Sequence, residues 1–543
     1  MTPPRDLPAE PKPDRRSAPA PPQAPELIAA ALEAFLAEHP HAVLLEDGRV
    51  IFDMRAAKYS LTTEHNRCTL HLWSEERNLV RRVGAAIERA GVLRLTTHRF
   101  GQARPQTLEL AADKDRRTPT TRESTRLRYL KTLERMLLRT FPDWKADGFR
   151  TAMDLEKSFG PAYARGVLVR GTQAWAVIAV NAEESQAIVD GILTLGILWL
   201  ADCRERAGGR RLFQGLKIVV PRGTAALTVS RLAWLNQAAA KWELWELDER
   251  EEEMLEREAA DHGNITTRLL HAPNEEAARA RFADATARVH ALLPPAMLPI
   301  VEQKVRTGGE LAFLLYGLEF ARIRLGYVGE SFNRQQEITL GAGANETPLT
   351  DENEADLREL VRRLFLSREP GGSQRDPLFR MQPERWLESM LRRDVAVLDP
   401  HLDPAHVYTQ VPAFAAGDRG MLDLLGVTRD GRLAVIELKA EEDLHLALQG
   451  LDYWVRVRAH HFENPDRASG LGEFQRHGYF SNVRLSPEPP RLYLVAPALR
   501  VHPATEIVLR HLSPRVDWIL LALDERWRRH LKVIWRKRST DTQ

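Results

Sequence analysis

The chain has very little cysteine and almost no excess of either charge. Only Cys68 and Cys203 occur among 543 residues, and they lack the spacing of a metal-binding motif. Two isolated cysteines exclude a disulfide framework and favour a reducing, cytoplasmic environment. Lysine plus arginine number 77 against 75 aspartates plus glutamates, so any surface for nucleic acid must be local rather than global.

Long apolar runs are also missing. Residues 187–200 form the most apolar segment, but it is too short to cross a bilayer and contains Asp190. We predict a buried helix there and no membrane partner. Residues 1–25 are rich in proline, alanine and charge and lack the apolar stretch of a secretory signal, so we expect a disordered leader.

One short stretch near the C-terminus combines acidic and basic residues in a regular pattern. Asp423 lies in an apolar run, an Asp-Gly pair follows, and a second apolar run carries Glu437 and Lys439. Asp-Gly between apolar runs predicts a hairpin, and the two-residue period of a strand puts Glu437 and Lys439 on one face. A helix is predicted from about residue 441 to 458. Two carboxylates and an ammonium are therefore expected to converge beside the sheet.

The chemistry of this group favours a hard divalent cation. Carboxylate oxygens of Asp423 and Glu437, with the Leu438 carbonyl and water, suit Mg²⁺ or Mn²⁺ better than zinc. Such a cation lowers the pKa of a water molecule and neutralises phosphate charge, and Lys439 can stabilise developing charge. Metal-assisted hydrolysis of a phosphodiester is the expected reaction.

This pattern, with Gln449 and Tyr453 on the following helix, resembles the PD-(D/E)xK nuclease superfamily over about residues 378–525. The branch it is most similar to includes archaeal Holliday-junction resolvases and mismatch-specific endonucleases. The hallmark proline is replaced by Leu422. The resemblance implies an α/β (mixed α+β) restriction-endonuclease-like domain with three αβα layers.

The resemblance also implies a role for each residue. Asp423 and Glu437 would be metal ligands, and Lys439 the catalytic lysine. Glu388, on the helix before the sheet, would be an outer-shell or second-metal carboxylate. Gln449 and Tyr453 would contact or orient the substrate.

A second segment repeats the pattern without its charged residues. WAVIAVNAEE at 175–184 is similar to LAVIELKAEE at 433–442. Similar helices precede the two segments, and similar strands and a WELWELDER/WILLALDER pair follow them in the same order. Aligned on Ala-Val-Ile, Ala179 replaces Glu437 and Asn181 replaces Lys439, while Arg165 falls opposite Asp423. Only Glu134 remains, at the position of Glu388. We predict an internal duplication whose first copy is inactive and serves as an intramolecular pseudo-dimeric partner or a DNA-holding surface.

These observations predict five segments. Residues 1–25 are the leader, 26–112 a small α+β module, 113–250 the degenerate nuclease-like domain, 251–377 a helical or α+β linking module, and 378–543 the nuclease domain with a basic tail. We also expect helices at about 75–90 and over much of 251–293. In the tail, Arg528, Arg529 and Lys532 with Trp527 and Trp535 suit substrate binding; alternatively, the tryptophans belong to the core.

The sequence thus predicts a cytoplasmic, Mg²⁺- or Mn²⁺-dependent deoxyribonuclease, most simply an endonuclease of DNA repair, recombination or defence. Two alternatives stay open: a non-catalytic nucleic-acid-binding scaffold that retains the fold, and a nuclease acting on RNA. The sequence leaves homo-oligomer formation open.

Overall fold

The structure is a computed structural model of the chain. It describes residues 23–39, 42–46, 49–54, 57–63, 67–73, 78–89, 91–98, 106–112, 119–154, 157–258, 268–327, 334–341, 347–415, 418–462 and 472–542. The predicted leader lies almost wholly outside these residues. Two compact units are present, one formed by residues 1–116 with 341–347 and one by 117–340 with 348–543.

The first unit contains one helix and one antiparallel sheet. Helix α1 (Pro25–Glu38) buries Ile28, Leu32 and Phe35. The strands are β1 (Val43–Glu46), β2 (Arg49–Asp53), β3 (Lys58–Thr62), β4 (Cys68–Trp73), β5 (Asn78–Arg89), β6 (Val92–His98) and β7 (Gln106–Ala111). Their order is β2-β1-β7-β6-β5-β4-β3. This part of the chain therefore combines one helix with one antiparallel sheet.

The helix predicted at 75–90 is wrong, because this segment is strand β5. It pairs antiparallel with β4 on one side and β6 on the other. Leu79, Arg81 and Val83 are buried at every second position, which is the period of a strand. The register with β6 shifts between Val83 and Ala85, so Gly84 lies at a bulge that a helix pattern does not reveal.

The second unit begins with a mixed sheet covered by helices. Its elements are α2 (Pro119–Thr140), β8 (Lys145–Arg150), β9 (Tyr163–Arg170), β10 (Gln173–Val180), α3 (Gln186–Ala207), β11 (Leu212–Pro221), α4 (Ala226–Leu232), β12 (Lys241–Asp248) and β13 (Glu253–Arg257). The strand order is β13-β12-β11-β10-β9-β8. Strands β10, β11 and β12 run parallel, and the outer pairings are antiparallel.

The linking segment contains more strand than predicted. It comprises β14 (Arg268–Leu269), α5 (Glu275–Arg281), α6 (Ala283–Leu292), β15 (Val301–Thr307), β16 (Glu310–Leu315), β17 (Leu318–Tyr327), β18 (Arg334–Leu340), β19 (Thr347–Pro348) and α7 (Glu354–Ser367). The helix expected over residues 251–293 is wrong at its start. Glu253–Arg257 is an edge strand because its backbone pairs antiparallel with β12.

The last segment forms another mixed sheet. Its elements are α8 (Pro377–Arg380), α9 (Pro383–Arg393), β20 (Tyr408–Ala415), β21 (Asp418–Val427), β22 (Leu433–Leu438), α10 (Leu446–Phe462), α11 (Glu473–Arg476), β23 (Arg491–Pro497), α12 (Pro503–Arg510), β24 (Trp518–Leu523) and β25 (Val533–Arg538). The order is β14-β20-β21-β22-β23-β24-β25, with β22, β23 and β24 parallel. Helix α9 packs on one face, and α10 and α12 on the other.

Apart from the short edge strand β14, the two mixed sheets share one order and direction of strands. In each, an antiparallel pair leads into a strand, a long helix crosses over, two parallel strands follow and an antiparallel edge strand ends the sheet. The chain is thus a mixed α/β protein with several sheets. Helix α3 is the one described helix long and apolar enough to cross a bilayer, but 72% of its apolar window is buried inside the protein.

The face of the first mixed sheet that α3 and α4 cover packs against the face of the last sheet that α10 and α12 cover. A small antiparallel bridge joins the two. Leu235 pairs with Leu512. The Asn236 amide donates to the His511 carbonyl at 2.8 Å, and the Ser513 amide donates to the Trp234 carbonyl at 2.7 Å. Their apolar residues form one continuous core.

Candidate active site

The separation of β21 from β22 opens the site. Their ladder ends at Leu424 and Ile436, so Asp423 and Glu437 are the next residues along each strand. Beyond that point the Asp423 side chain replaces the ladder: the Leu438 amide donates to Asp423 Oδ2 at 3.1 Å. This bond holds the first predicted carboxylate against the strand that carries the second.

Lys439 lies among carboxylates, as the sequence predicts. Its Nζ is 3.7 Å from Glu437 Oε1, 3.9 Å from Glu384 Oε1 and 3.6 Å from Asp443 Oδ2. Sequence reasoning missed Glu384 and Asp443. Glu384 stands one helical turn before Glu388, and this i, i+4 spacing was the available signal for it.

The two central carboxyl groups are held in an unfavourable environment. Burial raises the pKa of Asp423 to about 6, with the Glu388 charge adding to the effect. Burial and the neighbouring Asp423 raise the pKa of Glu437 well above its usual range. Glu437 is 1% exposed. Two neighbouring acids that are both desolvated favour the protonated form unless a cation lies beside them.

Lys439 is in the opposite situation. Burial alone would lower its pKa, but Glu437, Glu384 and Asp443 together raise it above the ordinary lysine value. The side chain is therefore an ammonium at neutral pH. It is suited to stabilise negative charge and not to act as a general base.

Glu388 is close to the cluster and already has partners. Arg385 donates to its Oε2 at 2.8 Å, and Gln410 Nε2 donates to the same oxygen at 2.8 Å. A carboxylate with two donors on one oxygen suits an outer position better than direct coordination. Sequence reasoning missed Gln410, which has a left-handed φ of 54° and lies where the β20–β21 ladder skips a residue opposite Asp423.

Helix α10 brings the other predicted residues to this side of the sheet. A methyl group at Gly450 would lie 2.5 Å from Leu494 Cδ2 and 3.6 Å from Glu437 Cβ, so glycine permits the close approach of the helix. Burial and the Glu437 charge raise the pKa of Tyr453, whereas a hydrogen bond with Gln449 opposes this. The structure thus places Gln449 and Tyr453 beside the carboxylates.

The basic tail is partly core. The Arg528 guanidinium lies 4.2 Å from the Trp527 ring centroid and 5.1 Å from those of Phe379 and Trp386, and burial lowers its pKa to about 10. Trp527 is buried, which agrees with the core alternative for this indole. Arg529 and Lys532 are exposed and remain accessible to a substrate.

The oxygen atoms at this site could bind a divalent cation through a small number of protein ligands, with water completing its coordination. Glu437 Oε2 is a buried oxygen without a hydrogen-bond partner, and a cation would satisfy it. Across the described residues, three or more His, Cys, Asp or Glu side chains nowhere gather closely enough to hold a metal. A cation here would therefore depend on Asp423, Glu437, the Leu438 carbonyl and water, a ligand set that suits Mg²⁺.

In the first mixed sheet, the position that corresponds to Glu437 is one residue away from the position that the sequence alignment predicts. Ile178 pairs with Ile218, and Glu437 pairs with Leu494. Ile218 and Leu494 each lie three residues before the proline that ends their own strand. The alignment of Ala179 with Glu437 and of Asn181 with Lys439 is therefore wrong. Ile178 and Val180 stand at those places, because the ladder and not the Ala-Val-Ile match fixes the register.

Arg165 does stand at the place of Asp423, since it pairs with Ile178. Its side chain is 1% exposed and lies 4.6 Å from the Phe159 ring centroid and 5.9 Å from that of Trp199. Its NH2 donates to the Ala152 carbonyl at 2.7 Å. A guanidinium and an indole thus fill the space, and cation binding there would meet charge repulsion.

Metal binding at the Asp423–Glu437 pair should depend on pH. The folded-state pKa values of both acids are raised, so in the absence of metal the pair loses stability as pH rises from about 4 through the folded pKa of Asp423, about 6. Cation binding requires deprotonated carboxylates. We expect Mg²⁺ to raise the melting temperature more at pH 8 than at pH 5.5, measured by calorimetry. In Glu437→Gln the pH-dependent difference should vanish, and an equal shift at both pH values would contradict this.

Comparison of the sequence with protein-family models and with curated proteins yields no match. The geometry of the site is therefore the basis for a functional proposal.

Proposed function

We propose that the chain is a Mg²⁺-dependent nuclease that hydrolyses DNA phosphodiester bonds, and that its catalytic site is the cluster of Asp423, Glu437 and Lys439. The observation that carries the proposal is the convergence of half-buried Asp423 and buried Glu437, which has an unpartnered oxygen and lies 3.7 Å from the ammonium of Lys439. A divalent cation bound by Asp423, Glu437 and the Leu438 carbonyl would neutralise phosphate charge and lower the pKa of a water molecule.

The chain's own residues have separate roles in this proposal. Lys439, which stays protonated, donates hydrogen bonds to a phosphate oxygen and stabilises the charge that develops there. Glu388 is held by Arg385 and Gln410 and acts as an outer carboxylate that keeps the cluster electronegative. Gln449 and Tyr453 orient the strand, and exposed Arg529 and Lys532 contact its backbone.

We also propose that both mixed sheets are copies of one restriction-endonuclease-like αβα domain. The common strand order supports this, as does the bridge of Leu235 with Leu512. The two leucines stand at nearly matching places: Leu235 is seven residues before Trp242, and Leu512 is six residues before Trp518. Pairing of matching residues is the contact expected across a two-fold axis. The chain would then be an intramolecular pseudo-dimer with one active and one inactive copy.

One active copy per chain predicts nicking. With Mg²⁺ or Mn²⁺ and supercoiled plasmid, we expect open circles to accumulate well before linear DNA, because each encounter cuts one strand. Agarose electrophoresis over a time course measures this. Direct appearance of linear DNA without an open-circle phase would contradict a single site, or would reveal dimerisation of the chain on DNA.

A cleavage panel tests the proposed function. Branched, mismatched, single-stranded and linear duplex DNAs, with RNA strands of the same sequences, are incubated with Mg²⁺ or Mn²⁺ using wild type and Glu437→Ala. We expect cleavage of at least one DNA by wild type only. Cleavage of RNA alone would favour the RNA-nuclease alternative, and binding without cleavage of any substrate would favour a scaffold. A cytoplasmic location remains a prediction, and homo-oligomer formation stays open.

A further inference from the structure

A cavity of about 380 Å³ lies beside the carboxylate cluster. It is enclosed by the start of the linking segment, by strand β15, by strand β20 and by the turn after α11. Gln410 joins the cavity to the cluster, because it lines the wall and also donates to Glu388 Oε2. The cavity therefore begins one side chain away from Glu388, the outer carboxylate of the cluster.

The charge of the cavity wall is opposite to that of the cluster. Lys304, Arg306 and Arg392 line it, against the single acid Glu275. Arg306 and Arg392 have carboxylate neighbours elsewhere, Glu319 at 2.9 Å and Glu302 at 3.7 Å. Such a wall is suited to hold an anion next to an acidic catalytic centre.

Lys304 is the cation that lacks a counter-ion. Its Nζ donates to Thr409 Oγ1 at 2.6 Å and approaches the Thr409 carbonyl at 3.4 Å. Within the described residues no carboxylate lies within ion-pair distance of it. Burial lowers its pKa to about 7; the charge of Glu388 opposes this shift, and the nearby Arg306, Arg385 and Arg392 add to it. A bound anion would supply the missing negative charge.

The remaining wall is aromatic and apolar. Tyr408 and Tyr479 contact each other edge to face at 5.1 Å, and His271 lies 4.4 Å from His477. Val305, Val411 and Met421 complete the apolar part. Aromatic rings beside cations bind nucleobases and phosphates together. The volume suits a single small ligand and is too small for a base pair with its backbone.

We propose that this cavity is a subsite for one unpaired nucleotide of the cleaved strand, with the nucleotide's phosphate on Lys304 and its base against Tyr408 and Tyr479. The proposal rests on the nuclease function proposed above, since the cavity gains its meaning from the adjacent carboxylates. The strand would run from the subsite past Gln410 to the scissile phosphate.

The test is oligonucleotide binding without catalysis. Fluorescein-labelled oligo(dT) is titrated in EDTA against wild type, Lys304→Met, Lys304→Arg and the control Lys145→Met, whose side chain is exposed on strand β8. We expect Lys304→Met to weaken binding about tenfold or more and to reduce the slope of log Kd against log salt by about 0.7, the value of one phosphate contact on a single strand. Lys304→Arg should retain most of the affinity, Lys145→Met should match wild type, and dTMP should compete with the oligonucleotide for wild type.

Each result bears on the proposal. Affinity of Lys304→Met equal to that of Lys145→Met, or failure of dTMP to compete, would overturn the subsite. Because Lys304→Met removes a charge that partial burial disfavours, its melting temperature should not fall, and calorimetry separates lost binding from lost folding. Cleavage by wild type with no binding effect at Lys304 would reject the subsite alone. A binding effect without cleavage of any nucleic acid would reject the nuclease function alone.

Discussion

Lys439→Ala is expected to abolish DNA cleavage while DNA binding persists. The ammonium is 3.7 Å from Glu437 Oε1 and is kept charged by the surrounding acids. Its removal takes away charge stabilisation that acts on the reacting phosphate. Loss of one such preorganised donor slows catalysis by about 10²–10³-fold, and the loss of charge is expected to make the effect at least that large. Single-turnover cleavage with Mg²⁺, beside anisotropy measurements of Kd in Ca²⁺, gives both quantities.

Lys241→Ala is the matched control, since this lysine is exposed on strand β12 of the first mixed sheet. It should cleave at the wild-type rate. Equal cleavage by Lys439→Ala and Lys241→Ala would show that Lys439 has no role in the reaction and would contradict the proposed catalytic site.

Asp452→Ala is expected to destabilise the protein strongly. Arg231 forms a two-pronged pair with Asp452, Nε to Oδ1 at 2.9 Å and NH2 to Oδ2 at 2.8 Å. The two side chains are 8% and 12% exposed, and the pair joins α4 of the first mixed sheet to α10 of the last. Removing one partner of a buried pair leaves the other charge uncompensated and costs about 3–5 kcal/mol. Urea unfolding measures the free energy of unfolding.

The double variant Arg231→Met/Asp452→Leu serves as the control. Since both charges are absent, it should unfold at a free energy much closer to that of wild type. A loss below about 1 kcal/mol for Asp452→Ala would show that water already screens this pair, and that it contributes little to holding the two sheets together.

Part of the site could be predicted because its signal is local. Asp423, Glu437 and Lys439 are joined by one hairpin, so strand period and turn chemistry suffice to bring them together. Gln449 and Tyr453 follow on the next helix. Glu388 needed the resemblance, because nothing local links it to the hairpin.

Other parts depend on contacts between distant segments. Lys304 reaches the site from strand β15 through its contact with Thr409, and Gln410, which has a φ of 54°, donates to Glu388 from strand β20. Strand β5 was mistaken for a helix because its pairing partners decide its conformation. The register of Ile178 needed a parallel ladder, which a short match in sequence does not specify.

Manganese binding followed by electron paramagnetic resonance tests the central claim most directly. We predict that wild type and Glu134→Gln each bind one tight Mn²⁺ per chain, and that Asp423→Asn and Glu437→Gln lose it while remaining folded. Equal Mn²⁺ binding by all four proteins, or two equivalent tight sites in wild type, would contradict the account.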